Sequence, residues 1–251
     1  PSRGLGDVYK RQKLGCTKIY NAKDIVEAGR IVELLKEHGI VPDYTAGLSL
    51  GEYSALYCAG VFKRQQVIDL ARFRGKVMQE AVSEIESEMI AVLGMKEELL
   101  QDLCHQASSL GVVSISNYNC PGQLVVAGEK KAVEKVKELA LENKARRVIA
   151  LNTSGPFHTS LLKEASLALK ERFKKETFHE MKIPVIFNTL GHEIEYQSIP
   201  EILEKQVMSP VYFEKSIRYM IDQGVDTIIE VGPGKLSLIH ISEPTRRTPI
   251  S

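Results

Sequence analysis

The four cysteines of this 251-residue sequence, Cys16, Cys58, Cys104 and Cys120, form no Cys-x-x-Cys pair and show no metal-ligand spacing. No metal is expected, and scattered thiols point to a reducing compartment, the cytoplasm. Charge of one sign is also lacking. Lys and Arg number 33 against 32 Asp and Glu, a net +1, so bulk electrostatics gives no reason to expect a nucleic-acid or membrane-surface partner. No apolar run approaches the length that spans a bilayer. Internal repeats and low-complexity segments are absent too. What remains, with 43% hydrophobic and 26% charged residues, is an ordinary globular composition, long enough for one large domain or two modest ones.

Residue 1 is proline, not methionine. Residues 1–12 share no periodicity with the adjoining helical pattern, and residues 237–251 leave a glycine-rich turn for an unrelated basic stretch. Both are expected to be non-native tails, the alternative being native disordered ends.

Between them the pattern alternates. Ile25, Ala28, Val32 and Leu35 predict a helix over 24–38, stopped by Gly39. A short strand over 44–47 runs through Gly47-Leu48-Ser49-Leu50-Gly51 into a helix over 52–59, and a longer helix lies within 61–83. From Met89 the order becomes strand (89–93), helix (96–109), strand (111–116), strand (124–127), helix (132–143) and strand (147–151), with a turn at Asn119-Cys120-Pro121-Gly122. That β-α-β-β-α-β order is the signature of a ferredoxin-like unit, inserted between α/β segments. A loop with His158, a helix to about 175, a strand over 183–188, helices over 199–207 and 213–223, and a strand over 227–231 complete the reading.

Three residues carry candidate chemistry. Gly47 to Gly51 fit G-x-S-x-G, the nucleophile elbow. Small residues two positions either side of Ser49 would let strand and helix pack closely, and the turn would put the hydroxyl at a helix N-terminus that favours developing negative charge. The plain alternative is a glycine-rich βα turn with an idle serine. Arg74 shares the apolar face of Val67, Leu70, Ala71, Met78 and Ala81. A guanidinium there needs an anion, either an internal carboxylate or that of a substrate; periodicity leaves both open. His158, in the loop Ser154-Gly155-Pro156-Phe157-His158-Thr159, suits a positioned general base, though alone it reads as a helix-entry histidine.

Taken together, these residues resemble the malonyl-CoA:acyl carrier protein transacylase family. The similar blocks are Gly47 to Leu56, Arg72 to Gln79, Asn117 to Gln123, Ser154 to His158, Gln206 to Val211 and Glu230 to Lys235. They occur in order, over roughly residues 13–235. The resemblance implies an α/β fold: an α/β-hydrolase-like large subdomain with a parallel sheet (13–86 and 154–236) and an inserted ferredoxin-like small subdomain (87–153). It implies Ser49 as nucleophile, His158 as base, the Gln206 carbonyl as orienter of the imidazole, and the Leu50 N–H as an oxyanion donor. It makes Arg74 the clamp for a malonyl carboxylate and Phe157 a marker of malonyl selection. It implies malonyl-CoA as substrate, no cofactor, acyl carrier protein as partner, and a monomer. An acidic carrier would meet a basic patch, for which Lys144, Arg146 and Arg147 are candidates beside the reading of a solvated face. Leu48 stands where the family commonly has histidine. The family's early Gly-Gln-Gly loop, source of a second oxyanion donor, has no counterpart here, so weak or no activity is expected of the chain as it stands. Rival readings are a polyketide synthase acyltransferase domain, a serine hydrolase or thioesterase, and a non-catalytic carrier-binding module.

Overall fold

A computed structural model describes residues 18–21 and 25–232. The expected tails 1–12 and 237–251 lie outside the described residues. The chain begins with strand β1 (Lys18–Asn21), helix α1 (Ile25–Glu37), strand β2 (Thr45–Ala46), and helices α2 (Gly51–Cys58) and α3 (Arg64–Ala81). The middle holds β3 (Ser87–Leu93), α4 (Glu97–Ala107), β4 (Val113–Cys120), β5 (Gln123–Glu129), α5 (Lys130–Glu142) and β6 (Arg147–Ala150). The last part holds α6 (Lys163–Phe173), β7 (Val185–Ile186), α7 (Ile199–Gln206), α8 (Phe213–Asp222) and β8 (Ile229–Gly232).

Strands from the two ends of the chain pair in parallel, β1 with β8 and β2 with β7. The middle segment forms its own antiparallel sheet in the order β4-β5-β3-β6. In that unit the first strand lies between the third and the fourth, as a βαββαβ chain requires when its two helices cover one face. The period-two alternation of strands divides the sheet. Ile90, Val92, Leu124 and Val126 pack with Leu100, Leu103, Val133 and Val136 of α4 and α5, while Met89, Val125 and Ala127 face the other way. On that reverse face sit Leu151 and Phe157. The larger core, around Tyr53, Leu56, Leu70, Met78, Leu162, Leu169, Phe187 and Leu203, ties α2, α3, α6 and α7 together.

Two elements depart from the sequence expectation. Strand β1 was not anticipated, since Lys18–Asn21 offers four residues without alternation and owes its form to β8. Strand β4 runs on to Cys120, past the expected end at 116, and only Pro121-Gly122 turn. Register shifts between Ile115 and Asn117 and between Tyr118 and Cys120 absorb extra residues, and such bulges hide a strand's period. Gly122, at φ 74°, supplies the left-handed turn residue.

Candidate active site

Ser49 sits where β2 gives way to α2, with a backbone φ of 54°, a left-handed conformation that costs a non-glycine residue roughly 1–2 kcal/mol. Gly47 makes the bend possible: a Cβ there would lie 2.1 Å from the Gly51 carbonyl carbon and oxygen. Gly51 does not share that role, because a Cβ on it would meet nothing within 4 Å. The symmetrical packing reason expected from the motif therefore holds at one end only. The bend is braced by Asn188, just beyond β7. Its Nδ2 donates to the Gly47 carbonyl and its Oδ1 accepts from the Ser49 N–H, both at 2.6 Å. The Ser49 N–H is thus occupied, whereas the Leu50 N–H takes no partner among the described residues.

His158 comes from the loop between β6 and α6, also with positive φ, 63°. Its Nε2 lies 2.8 Å from Ser49 Oγ. Nδ1 lies 2.9 Å from the Gln206 carbonyl oxygen and 3.2 Å from that of Ser209. Two carbonyls accept only from N–H, so the proton belongs on Nδ1 and the Nε2 lone pair faces the serine hydroxyl. A carboxylate occupies this orienting position in many hydrolases; here main-chain oxygens do. They come from Gln206, the last residue of α7, and from Ser209 just beyond it; α7 begins at a capping box, where Ser198 N–H donates to Glu201 Oε2 at 3.0 Å, with Pro200 in the first turn. Burial pushes the imidazole pKa down to about 4, and the Arg74 charge adds to that effect against the two carbonyls. The ring is neutral at physiological pH and ready to accept a proton.

Arg74 is 5% exposed. Its Nη2 donates to Ser49 Oγ at 2.9 Å and to Gln206 Oε1 at 3.2 Å, while Nε has no partner. The guanidinium lies over the Tyr53 ring at 5.7 Å and forms no salt bridge among the described residues. Burial lowers its pKa, opposed by Tyr53 and Glu52. Glu52, wholly buried in the first turn of α2, is the nearby carboxyl. Its Oε2 accepts the Asn188 main-chain N–H at 2.6 Å. Burial raises its pKa to about 7, against the Asn188 N–H, the Gln206 amide and Arg74, which lower it.

The structure therefore brings Ser49, His158, Arg74 and Gln206 together around one hydroxyl, with Leu50 next in the chain. Phe157 is placed differently, wedged between the large core and the reverse face of the inserted sheet. Sequence reasoning gave Gln206 only its carbonyl. The side chain also works, its Nε2 donating to the Ser49 carbonyl at 2.9 Å. Asn188 and Glu52 were missed. Asn188 stands at the carboxyl end of a parallel strand, where open α/β sheets gather their ligand sites, and that was its available signal. Glu52 reads as an acidic residue favoured in a helix's first turn. A surface cavity of about 570 Å³, between residues 191–195 and α8, contains none of these groups.

A neutral imidazole accepting from an elbow serine, beside a cation without an ion-pair partner, is equipped for acyl transfer through the hydroxyl. Residues 24–250 match the acyl transferase domain family. Malonyl CoA-acyl carrier protein transacylase of Bacillus subtilis (strain 168) is 43% identical over 235 residues, covering 92% of this chain and 74% of the relative. The crystal structure of MCAT from Streptococcus pneumoniae superposes with a TM-score of 0.82 at 40% identity, over 86% of this chain and 71% of that one. A malonyl-transacylase solved in complex with a type II PKS acyl-carrier protein gives a TM-score of 0.81 at 36% identity, over 86% and 71% of the two chains. The chain spans between 64% and 74% of the length of the curated relatives it matches. It belongs to the malonyl CoA-acyl carrier protein transacylase family.

Proposed function

We propose that this chain carries the [acyl-carrier-protein] S-malonyltransferase activity of fatty acid biosynthesis, moving malonyl from malonyl-CoA to the phosphopantetheine thiol of acyl carrier protein. The observation that carries the reading is the meeting of His158 Nε2 and Arg74 Nη2 at Ser49 Oγ. An imidazole activates the serine, and a buried cation waits where a second carboxylate can lie.

In the first half-reaction His158 Nε2 takes the Ser49 proton as Oγ attacks the thioester carbonyl. The Leu50 N–H faces the oxyanion. Collapse breaks the C–S bond, and the imidazolium returns its proton to the coenzyme A thiolate. In the second half-reaction the carrier thiol gives its proton to His158, its sulfur attacks malonyl-Ser49, and the serine leaves with that proton. Arg74 exchanges its bonds to Ser49 Oγ and Gln206 Oε1 for the malonyl carboxylate. An acyl group lacking that carboxylate leaves the guanidinium buried and unpaired, which favours malonyl.

The finer architecture fits this role. The parallel strands and their helices form an α/β-hydrolase-like subdomain bearing Ser49, and the βαββαβ insert is a ferredoxin-like subdomain meeting it at Phe157. Phe157 is proposed to shape the acyl pocket indirectly, through the loop it shares with His158. Lys144, Arg146 and Arg147 are all exposed at one end of the insert and suit an acidic carrier protein. Serine and imidazole chemistry on a thioester, as proposed, calls for no cofactor. No helix among the described residues is long and apolar enough to cross a membrane.

The test is single-turnover labelling with radioactive malonyl-CoA. Label is expected on Ser49 and then on holo carrier protein, and Arg74→Ala should lose malonyl transfer far more than acetyl transfer. Equal losses for the two acyl groups, or release of label to water in preference to the carrier, would overturn the reading.

A further inference from the structure

Glu52 is buried completely, yet no step of the transfer uses it. A carboxyl in the first turn of a helix gains from the dipole while exposed, so the dipole does not account for taking it out of water. What the burial achieves is a bond across the fold. Oε2 fixes the main-chain N–H of Asn188 at 2.6 Å, and the Asn188 carbonyl accepts from the Tyr212 N–H at 2.8 Å. With its backbone held at both ends, the Asn188 amide reaches both sides of the elbow, to the Gly47 carbonyl and the Ser49 N–H. In effect the side chain stands in for a peptide unit. It prolongs the β2·β7 ladder, which ends at Ala46 and Ile186, past the point where the backbone swings into its left-handed residue.

We propose that Glu52 and Asn188 form a latch that positions the nucleophile, Glu52 acting through Asn188 and neither touching the acyl group. The inference rests on the acyl-transfer reading only for the identity of the nucleophile. Misplacing a reacting atom by about an ångström can cost roughly a hundredfold in rate, so the latch should be felt in reactivity rather than in substrate affinity.

The experiment is the second-order labelling rate of Ser49 by an alkyl fluorophosphonate, beside malonyl-CoA kcat and KM and the thermal midpoint of each variant. Asn188→Ala is expected to slow labelling by about a hundredfold and Glu52→Met by about tenfold, with kcat falling alongside and KM nearly fixed. Glu52→Gln keeps an oxygen that can accept the Asn188 N–H and should restore labelling to within about threefold of the parent. Labelling of folded Glu52→Met at the parent rate, or Glu52→Gln as slow as Glu52→Met, overturns the latch. Should Glu52→Met not fold, Asn188→Ala labelling at the parent rate overturns it equally. A parent chain that labels but does not turn over malonyl-CoA counts against the proposed function alone and leaves this comparison of rates valid.

Discussion

Between β3 and β6 the interior is dry. Around Ile90, Leu100, Val126 and Val136 the side chains are apolar, and the buried polar residues of that unit, Ser116 and Asn117, lie on β4 where it touches the rest of the chain. Around the elbow, Glu52, Arg74, His158, Asn188 and Gln206 are buried within one hydrogen-bonded group. One region follows the rule that polar groups stay outside; the other breaks it repeatedly. Stability and chemistry reside in different places: the insert packs apolar side chains, and the elbow region accepts buried charge to hold a reactive geometry.

The largest effect is expected at the nucleophile. Ser49→Ala should lower kcat by about 10⁴-fold or more with the thermal midpoint hardly changed, read by malonyl-CoA turnover and calorimetry. Leu100→Ala, in the dry core, should do the reverse. It should cost about 2–5 kcal/mol of stability in denaturant titration and leave kcat near the parent value in the surviving folded fraction.

A subtler outcome concerns pH. Glu52, raised to about 7 from an ordinary 4.5, contributes stability that is full below its unfolded value and lost as pH rises through 7. His158, lowered to about 4 from 6.5, contributes stability that is full above its unfolded value and lost as pH falls through 4. Each is worth on the order of 3 kcal/mol, and where the two windows overlap they oppose. The parent midpoint should therefore vary little from pH 4.5 to 6.5. Glu52→Gln should make it rise with pH there, and His158→Gln should make it fall. Parallel curves for all three proteins would contradict the assigned environments. Smallest of all, Lys174→Ala removes an exposed ion pair with Glu171 and should leave the denaturant midpoint indistinguishable from the parent's.

Much of this was legible in the sequence, for identifiable reasons. Helices such as α3 and α8 announce themselves because a 3.6-residue stripe must face a core. The order of elements in the insert came from alternation and turn residues. Ser49 and His158 stand in short local patterns, and Arg74 betrays itself by interrupting an apolar face. Strand β1 was not legible, because four residues depend on a partner more than 200 positions away. The extension of β4 was hidden by its bulges. Asn188 and the side chain of Gln206 act on a backbone over 100 residues distant, and beyond Asn188's place at the carboxyl end of a strand no local pattern records that. Glu52 looked ordinary because its conflict with burial exists only once α2 is packed.

The insert is stitched to the rest of the chain at Val211, whose N–H donates to the Ser116 carbonyl and whose carbonyl accepts from the Tyr118 N–H, each at 2.9 Å; Tyr118 stacks on Tyr212 beside it. Two residues upstream lies the Ser209 carbonyl that helps aim the imidazole. The carbonyl that aims the ring and the bonds that hold the insert therefore belong to one four-residue stretch, 209–212, so the base and the seam share a single anchor.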